Sequence, residues 1–225
     1  MTALWDQLID LQSVLETQFN TTGNIVTEPN SSMFSSKGWV HRIWESNLYR
    51  RAHIDIVDER ATRGLWMLHC CIFPHTHNPA PIFGFDLVAG RNKITGCFLD
   101  YSPAGDKDHP MIDWFKDEVS NLKWNKLREL PDWAVRIFSP SMIAASNVQS
   151  SDEIAQIINT VTHTIKNYVS CVADTNNTVN STVQEQNYYA QNQKLNPHTP
   201  KVMAALGLTN DEVEIFIHRC LFPEI

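Results

Sequence analysis

The chain has 225 residues, of which 43% are hydrophobic, enough to bury the core of one domain or of two small ones. Its formal net charge of −7 argues against a nucleic-acid-binding protein, which normally carries a basic excess. No stretch approaches the roughly 20 apolar residues of a membrane span, and the first residues lack the pattern of a signal peptide. The five cysteines include no C-x-x-C spacing, which indicates reduced thiols and a cytoplasmic protein.

The N-terminal half of the chain predicts one helix followed by a series of strands. Residues 2–17 carry apolar side chains at helical spacing, whereas residues 18–37 are polar and turn-rich and predict an irregular arm. The apolar segments that follow are short and are separated by tight turns, which favours antiparallel neighbours. Strands are expected at residues 39–46, 53–57, 65–73, 82–89 and 93–101.

The C-terminal half predicts mainly helices. Residues 109–127 have apolar side chains at helical spacing, and Val135 to Ala144 predict a last strand. Ser150 is expected to cap a long helix, because Glu153 follows at the spacing of a reciprocal cap. After a polar loop over 174–182, further helices are expected at about 182–194, 200–206 and 210–221.

Three ionisable side chains interrupt the otherwise apolar sequence of the predicted strands. They are Asp55, His69 and Asp86. Burying such a group costs several kcal/mol unless it is paired or serves chemistry. Taken singly, His69 also fits a satisfied core histidine, and Asp55 an ion-paired carboxylate at a strand end. Taken together on neighbouring strands, a histidine and carboxylates can share and pass a proton.

The strand around Asp86 has two unequal faces. Period-two alternation puts Gly84, Asp86 and Val88 on one face and phenylalanine and leucine on the other. A glycine beside a carboxylate leaves a flat surface that suits a planar ligand. The same sequence also fits an aspartate that simply hydrogen-bonds to the sheet backbone. On the preceding strand, Met67 shares the face of His69.

Other common catalytic motifs are absent from the sequence. The pair His75 and His77 has no cysteine or acidic third ligand nearby, so no metal site is expected. There is no glycine-rich phosphate loop, dinucleotide fingerprint or nucleophile elbow. An enzyme built on this chain would therefore carry its chemistry on the bound substrate and on an outside redox partner.

At these residues the sequence resembles the ferredoxin-dependent bilin reductases, and most closely their phycocyanobilin:ferredoxin oxidoreductase branch. The matching strings are AHIDI, LHCCIFP, PIFGFDLVAG and DYSP, followed by RELPDW, the triplet ASN at 145–147 and the terminal CLFPEI. The resemblance implies a single bilin reductase domain over 1–225. It also implies an α/β fold, a three-layer α/β/α sandwich whose central antiparallel β-sheet is flanked by helices and holds the bilin.

The resemblance further implies that the protein reduces biliverdin IXα, using single electrons from reduced ferredoxin, no bound cofactor and substrate radicals. Its expected product is phycoerythrobilin, as in the phage-type phycoerythrobilin synthase. The expected partners are ferredoxin and a heme oxygenase as substrate donor, with the enzyme as a monomer. Two alternatives stay open: reduction to phycocyanobilin, and a carrier that binds bilin without reducing it.

Residue roles follow from the same resemblance. Asp86 matches the family's essential aspartate and expected proton donor, and His69 matches its histidine partner. Asp55 stands where the phycocyanobilin branch has a glutamate that serves vinyl reduction. Its carboxylate is withdrawn by about 1.5 Å, one bond length. Proton transfer needs heavy atoms about 2.6–3.2 Å apart, so this substitution puts vinyl reduction in doubt.

The bilin-binding residues are expected on the sheet and near the C-terminus. Thr95 stands where the branch has a serine near a propionate, and His198 stands at a family lysine position. Asn196 replaces an aspartate of the phage synthase, and an amide supplies no carboxylic proton. The full set expected to bind bilin is Gly84, Met67, Val88, Thr95, Asn196, Pro197 and His198.

Two groups of basic residues are expected at the surface. A propionate-binding arginine of the branch falls on Ala144, so other cations must take its place. The candidates for this role are Arg63, Arg91, Lys93, His198 and Lys201. Ferredoxin is acidic, and the basic surface expected to dock it comprises Arg42, Arg50, Arg51 and Lys93.

Overall fold

The computed structural model describes residues 3–104, 107–172 and 179–225. In these ranges the strands are β1 (Asn24–Val26), β2 (Val40–Glu45), β3 (Arg51–Glu59), β4 (Leu65–Phe73), β5 (Ile82–Ala89), β6 (Ile94–Ser102) and β7 (Ile143–Val148). The helices are α1 (Ala3–Thr22), α2 (Ser31–Ser35), α3 (Pro110–Val119), α4 (Asp132–Val135), α5 (Ser151–Cys171), α6 (Val183–Gln193), α7 (His198–Ala205) and α8 (Asn210–Ile215), and a π-helix (Phe216–Leu221) follows α8.

The described strands form one open sheet in which every neighbouring pair is antiparallel. The strand order is β1-β2-β3-β4-β5-β6-β7, so each strand pairs with those next to it in sequence. Short connections between sequential segments permit this arrangement without crossovers. Helices cover both faces, which confirms the expected α/β/α sandwich with a central antiparallel sheet.

One face of the sheet packs against α1, α3 and α5 and forms the larger hydrophobic core. Strand β4 sends Trp66, Leu68 and Cys70 to this face, all almost fully buried. Ser150 caps α5 as expected, because its hydroxyl accepts a hydrogen bond from the backbone N–H of Glu153 at 3.2 Å. Burial of apolar area on this face supplies most of the driving force that holds α1 and α5 to the sheet.

The opposite face is covered by α2, α6, α7, α8 and the π-helix, which form a second core cluster. Its members include Cys71 and Phe73 of β4 and Tyr189 of α6. The side chains of β4 therefore alternate between the two cores, as the period of a strand requires. A cavity lies between this face of the sheet and its helices.

Several predicted element boundaries are wrong. The strand predicted over 135–144 begins only at Ile143, because Pro140 within that segment has no N–H to give to a ladder. The helix predicted over 109–127 ends at Val119. The segment 18–37, predicted to be an irregular arm, contains the end of α1 together with β1 and α2, because tertiary packing gives this polar segment regular structure. Residues 173–178, which include most of the loop predicted over 174–182, lie outside the described residues.

Candidate active site

The cavity on the second face of the sheet has a volume of about 690 Å³, which is within the usual range for small-molecule sites. The sheet forms its floor, while the start of α7, the π-helix and residues 128–134 form its other walls. The residues expected to act in catalysis and the set expected to bind bilin all line it: Asp55, Met67, His69, Gly84, Asp86, Val88, Thr95, Asn196, Pro197 and His198. The structure thus brings together residues that are more than 140 positions apart in the chain.

The ionisable groups of the floor form one row across the sheet. The strand register pairs His41 with Asp55, Asp55 with His69, and His69 with Asp86. Directly paired residues in antiparallel strands project to the same face, with their Cβ atoms about 4.5–5.5 Å apart. Two carboxyls and two imidazoles therefore stand side by side on this face of the sheet, and of these Asp55, His69 and Asp86 line the cavity.

Asp86 and His69 form the part of this row that opens to the cavity. Both side chains are half-buried, and the cavity is their route of access. Burial raises the pKa of the Asp86 carboxyl, and the charges of His69 and Arg128 act in the opposite direction. Phe222 places its ring edge against the imidazole of His69, with centroids 5.4 Å apart. A carboxyl with a raised pKa keeps its proton to higher pH, so Asp86 has the character of a proton donor.

Asp55 lies deeper than His69 and Asp86, which are half-buried. The residue is 2% exposed, and one of its carboxylate oxygens makes a short hydrogen bond with Nδ1 of His41. Its other oxygen lies 3.6 Å from Nε2 of His53. Because β2 and β4 flank β3 on opposite sides, the bond to His41 draws the carboxylate away from His69. The retraction expected for a shortened side chain is therefore reinforced by a hydrogen bond.

His41, a member of the row, and His53, which lies beside the row, make contacts that were not foreseen from the sequence. His53 is fully buried, and its ring stacks on that of His69 with centroids 5.3 Å apart. Burial, followed by the charge of Arg51, holds the pKa of His53 well below its ordinary value, so its imidazole is neutral. The alternation of the strand predicted over 39–46 was a usable signal for His41, but only the register showed which residue it faces.

Asp100 is a further carboxyl that sequence analysis left unassigned. It is 1% exposed, lines the cavity and pairs across strands with Gly84. The backbone N–H of Ser139 and the hydroxyl of Ser102 donate hydrogen bonds to it at 2.8 and 2.7 Å. Burial raises its pKa to about 6 in spite of these bonds. Asp100 ties the loop after α4 to the floor of the cavity.

Arg128 is the cation that lies over one end of the floor. One of its Nη atoms donates to the backbone carbonyl of Thr95 at 2.9 Å, and its guanidinium lies over the ring of Phe98. An added Cβ at Gly96 would lie 3.1 Å from the ring of Phe98, so the glycine makes room for the ring that the guanidinium covers. The backbone N–H of Arg128 donates to the carbonyl of Ala144, the position where the phycocyanobilin branch has its arginine.

Arg128 is not among the cations expected to bind a propionate. Of that expected set, only His198 lines the cavity. Lys93 instead donates to the side chain of Asn147 at 2.7 Å. Arg128 was missed because it reaches the site through pairing of residues 126–128 with the edge strand β7, which has no signature in the local sequence.

The helical wall opposite the floor is organised by polar contacts. The side-chain oxygen of Asn196 accepts from the backbone N–H of His198 at 3.0 Å and so supports the start of α7. Tyr189 of α6 faces Gly84, where an added Cβ would lie 3.2 Å from the phenol oxygen. Gln193 donates to that oxygen at 2.8 Å. The flat surface at Gly84 thus also accommodates Tyr189.

The basic residues expected to dock ferredoxin have partners within the chain. Arg50 donates to the side chain of Gln186 at 2.8 Å, and Arg51 donates to the carbonyl of Cys220 at 3.0 Å. Arg42 is paired with Glu16 at 2.7 Å. These contacts tie the guanidinium groups to specific intramolecular positions.

The described ranges contain neither a cluster of metal-binding side chains nor a helix able to span a membrane. No group of three or more histidine, cysteine, aspartate or glutamate side chains there is arranged to hold a metal ion. No helix in those ranges combines the length and apolar character that a membrane crossing requires. The cysteines in this part of the chain are free thiols, and most of them are buried.

Comparison with known proteins places this chain among characterised relatives. Two curated relatives are named phycocyanobilin:ferredoxin oxidoreductase. One, from Synechococcus sp. strain PCC 6301, is 25% identical over 86% of this chain and 84% of its own. The other, from Synechococcus sp. strain CC9902, is 29% identical over 72% of this chain and 67% of its own.

Solved structures extend the likeness to the fold. A structure of a protein called PcyX matches with a TM-score of 0.71 and 30% identity, over 97% of this chain and 99% of that one. Phytochromobilin synthase from tomato, solved in complex with biliverdin, shares the fold with a TM-score of 0.74 at 17% identity, over 97% and 82% of the two chains. The family model for ferredoxin-dependent bilin reductases matches residues 10–223. The chain therefore belongs to the ferredoxin-dependent bilin reductases, a family of oxidoreductases.

Proposed function

We propose that the protein reduces biliverdin IXα to phycoerythrobilin with electrons that reduced ferredoxin delivers one at a time. The observation that carries this proposal is the pair Asp86 and His69, which are cross-strand neighbours facing a cavity of about 690 Å³. The raised pKa of Asp86 suits a carboxyl that donates a proton and is then recharged. Asp86 acts as the proton donor, and His69 shares and returns the proton.

The proposed reaction consumes four electrons from ferredoxin and four protons from solvent for each pigment. The first two electrons and two protons reduce the methine bridge between rings C and D. The second two electrons and two protons reduce the A-ring diene. Electrons enter as single charges, so substrate radicals lie between the steps. The conjugated pigment itself accepts the electrons, and the task of the protein is to hold it and to place protons on chosen carbons.

The position of Asp55 supports phycoerythrobilin as the product. Phycocyanobilin requires reduction of the D-ring vinyl group, which the related branch carries out with a glutamate at this position. Here the carboxylate is shorter and is bonded to His41, on the side away from His69. A proton donor held beyond about 3.2 Å transfers protons poorly, so the vinyl group is left unreduced.

Phycocyanobilin is the second candidate product, because curated relatives carry the name phycocyanobilin:ferredoxin oxidoreductase. Replacing Asp55 with Glu separates the two candidates. The longer side chain reaches about 1.5 Å further, so the proposal expects phycocyanobilin to appear in the product mixture only in this variant. If the wild-type protein already yields phycocyanobilin alone, the product assignment is wrong.

Arg128 is proposed to anchor a propionate of the bilin at one end of the floor. The guanidinium lies at the cavity beside Thr95, whose hydroxyl donates to the carbonyl of Val88 at 3.0 Å. Arginine binds carboxylates through two parallel N–H groups, which fixes orientation as well as charge. This anchor replaces the arginine that the branch carries at Ala144, and His198 is available on the opposite wall.

Anaerobic turnover of biliverdin with reduced ferredoxin, followed by chromatography of the pigments, tests the proposal. We expect phycoerythrobilin as the final product and slower turnover at high salt, because ferredoxin docking is electrostatic. A bound biliverdin spectrum that does not change when reductant is added would instead identify a non-reducing carrier. In this proposal a heme oxygenase supplies the substrate, and the enzyme acts as a cytoplasmic monomer.

A further inference from the structure

We infer that Glu28, His41 and Asp55 form the route by which protons from solvent recharge the donor groups under the bilin. This inference rests on the proposed reductase function and deepens it. It assigns His41 and Glu28, which do not line the cavity, a role in supplying the reaction. The role is the transfer of protons, whereas ferredoxin supplies the electrons.

The need for a route follows from the stoichiometry. Each two-electron reduction takes two protons, and Asp86 and His69 together hold too few for two successive reductions. Both must regain protons while the bilin occupies the cavity and covers them. A path that runs along the same face of the sheet and enters the row from β2, beyond the cavity, meets this need.

His41 occupies the middle of such a path. Its side chain is fully buried, its Nδ1 is bonded to Asp55, and its Nε2 lies 3.9 Å from a carboxylate oxygen of Glu28. That Nε2 is a buried nitrogen without a hydrogen-bond partner among the described residues. An imidazole can take a proton on one nitrogen and release another from its second nitrogen, so it can relay a proton between two neighbouring groups.

Glu28 connects this histidine to solvent. Its side chain is 12% exposed, against 0% for His41 and 2% for Asp55. One of its oxygens accepts from the backbone N–H and the side chain of Asn30 at 3.0 and 2.7 Å, which directs the other oxygen towards His41. Closing 3.9 Å to hydrogen-bond length takes about 1 Å of movement, within ordinary side-chain motion.

The inner end of the route leads to the donor pair. The second oxygen of Asp55 lies 3.6 Å from Nε2 of His53, whose ring stacks on His69. Asp55 is also the direct cross-strand partner of His69. Arg51 interacts electrostatically with both Asp55 and Glu28, so one cation lies near both carboxylates of the route.

The ring of Phe34 provides a way to separate proton transfer from packing. It stacks on the ring of His41 with centroids 4.7 Å apart, and this packing fixes the orientation of the imidazole. The substitution Phe34→Leu disturbs this packing but keeps both nitrogens. The substitution His41→Gln keeps an amide that can donate to Asp55 but removes the group that exchanges protons. His218→Gln removes an exposed histidine and serves as the matched control.

The test compares these variants with the wild-type protein in two stopped-flow measurements. The first follows single turnover of bound biliverdin with reduced ferredoxin, in H₂O and in D₂O. We expect His41→Gln to slow the pigment change at least tenfold and to enlarge the solvent isotope effect, with biliverdin affinity within about threefold of wild type. Glu28→Gln should act in the same direction by a smaller factor, and His218→Gln should leave the rates unchanged.

The second measurement needs no reductant. A pH jump applied to the biliverdin complex reports, through pigment absorbance, how fast protons reach the cavity, and His41→Gln should slow that change. Equal rates in wild type and His41→Gln, or equal slowing by Phe34→Leu, would overturn the inference. A third outcome separates the two claims. If the wild-type protein does not turn over biliverdin but His41→Gln still slows the absorbance change after a pH jump, the proposed reaction is refuted and the proton route stands.

Discussion

The two faces of the central sheet are built from the same strands but differ in chemistry. On β4, Leu68 and Cys70 point into the core under α1 and α5, while Met67 and His69 point into the cavity. Strand alternation lets neighbouring residues serve packing and chemistry separately. The comparison teaches that a row of ionisable side chains can be carried on a sheet without loss of the hydrophobic core on its other face.

The faces also differ in how their buried polar groups are satisfied. On the core face, the hydroxyls of Tyr101 and Tyr168 donate to backbone carbonyls at 2.6 and 2.7 Å, although Nε1 of Trp66 has no partner among the described residues. On the cavity face, nitrogens of His53 and His69 are buried without partners in the same part of the chain. Unpaired buried polar atoms are costly, and their concentration at one face marks it as the working surface.

The largest expected effect is on the cavity face. Asp86→Asn removes the proposed proton donor, so single-turnover conversion of biliverdin should fall by about 10²- to 10⁴-fold with binding little changed. Asp113→Asn, on an exposed position of α3, is the control and should keep full activity. Full pigment conversion by Asp86→Asn would remove the proposed distinction between the faces.

Neighbouring positions on β4 sharpen the comparison through stability. Leu68 is fully buried in the core, so Leu68→Ala should lower the free energy of unfolding by about 2–5 kcal/mol. Met67→Ala opens space that already adjoins the cavity, and it should cost less stability while changing biliverdin affinity. Denaturant unfolding and absorbance titration measure the two effects. Equal loss of stability in both variants would contradict the assignment.

A buried carboxyl on the cavity face gives a pH-dependent effect. Burial raises the pKa of Asp100 from 3.8 to about 6, so the folded protein binds this proton more tightly than the unfolded chain does. The stabilisation is complete below pH 3.8 and is lost as pH rises through about 6. Between pH 4 and 7 the unfolding free energy of wild type should therefore fall relative to that of Asp100→Asn, by an amount on the order of 2 kcal/mol. A constant difference between the two proteins would show that Asp100 keeps an ordinary pKa.

The smallest expected effect is at the rim of the cavity. Arg128→Gln should weaken biliverdin binding by about tenfold, which corresponds to about 1.4 kcal/mol for loss of one carboxylate contact. Its exposed position means that unfolding free energy should change little. Lys126→Gln, on the same segment but not at the cavity, is the matched control. Similar weakening in both variants would point to general electrostatics.

Much of the floor could be predicted from the sequence because its signals are local. Period-two alternation placed Gly84, Asp86 and Val88 on one face, and the structure puts all three on the cavity. The apolar stripe of α5 and its Ser150 cap were equally local. The last strand was predicted over 135–144 but spans Ile143–Val148. The apolar segment 135–144 has the composition of a strand, but it contains a proline.

The sequence by itself determined which residue types the sheet carries on each face, because side-chain direction in a strand depends only on parity. Tertiary structure alone decided that His41 meets Asp55 and that Arg128 lies over Phe98. Both contacts depend on strand register and on edge pairing, which are set by packing across the whole sheet. For this reason Asp86 and His69 could be named from the chain, whereas the positions of His41 and Arg128 relative to the site could not.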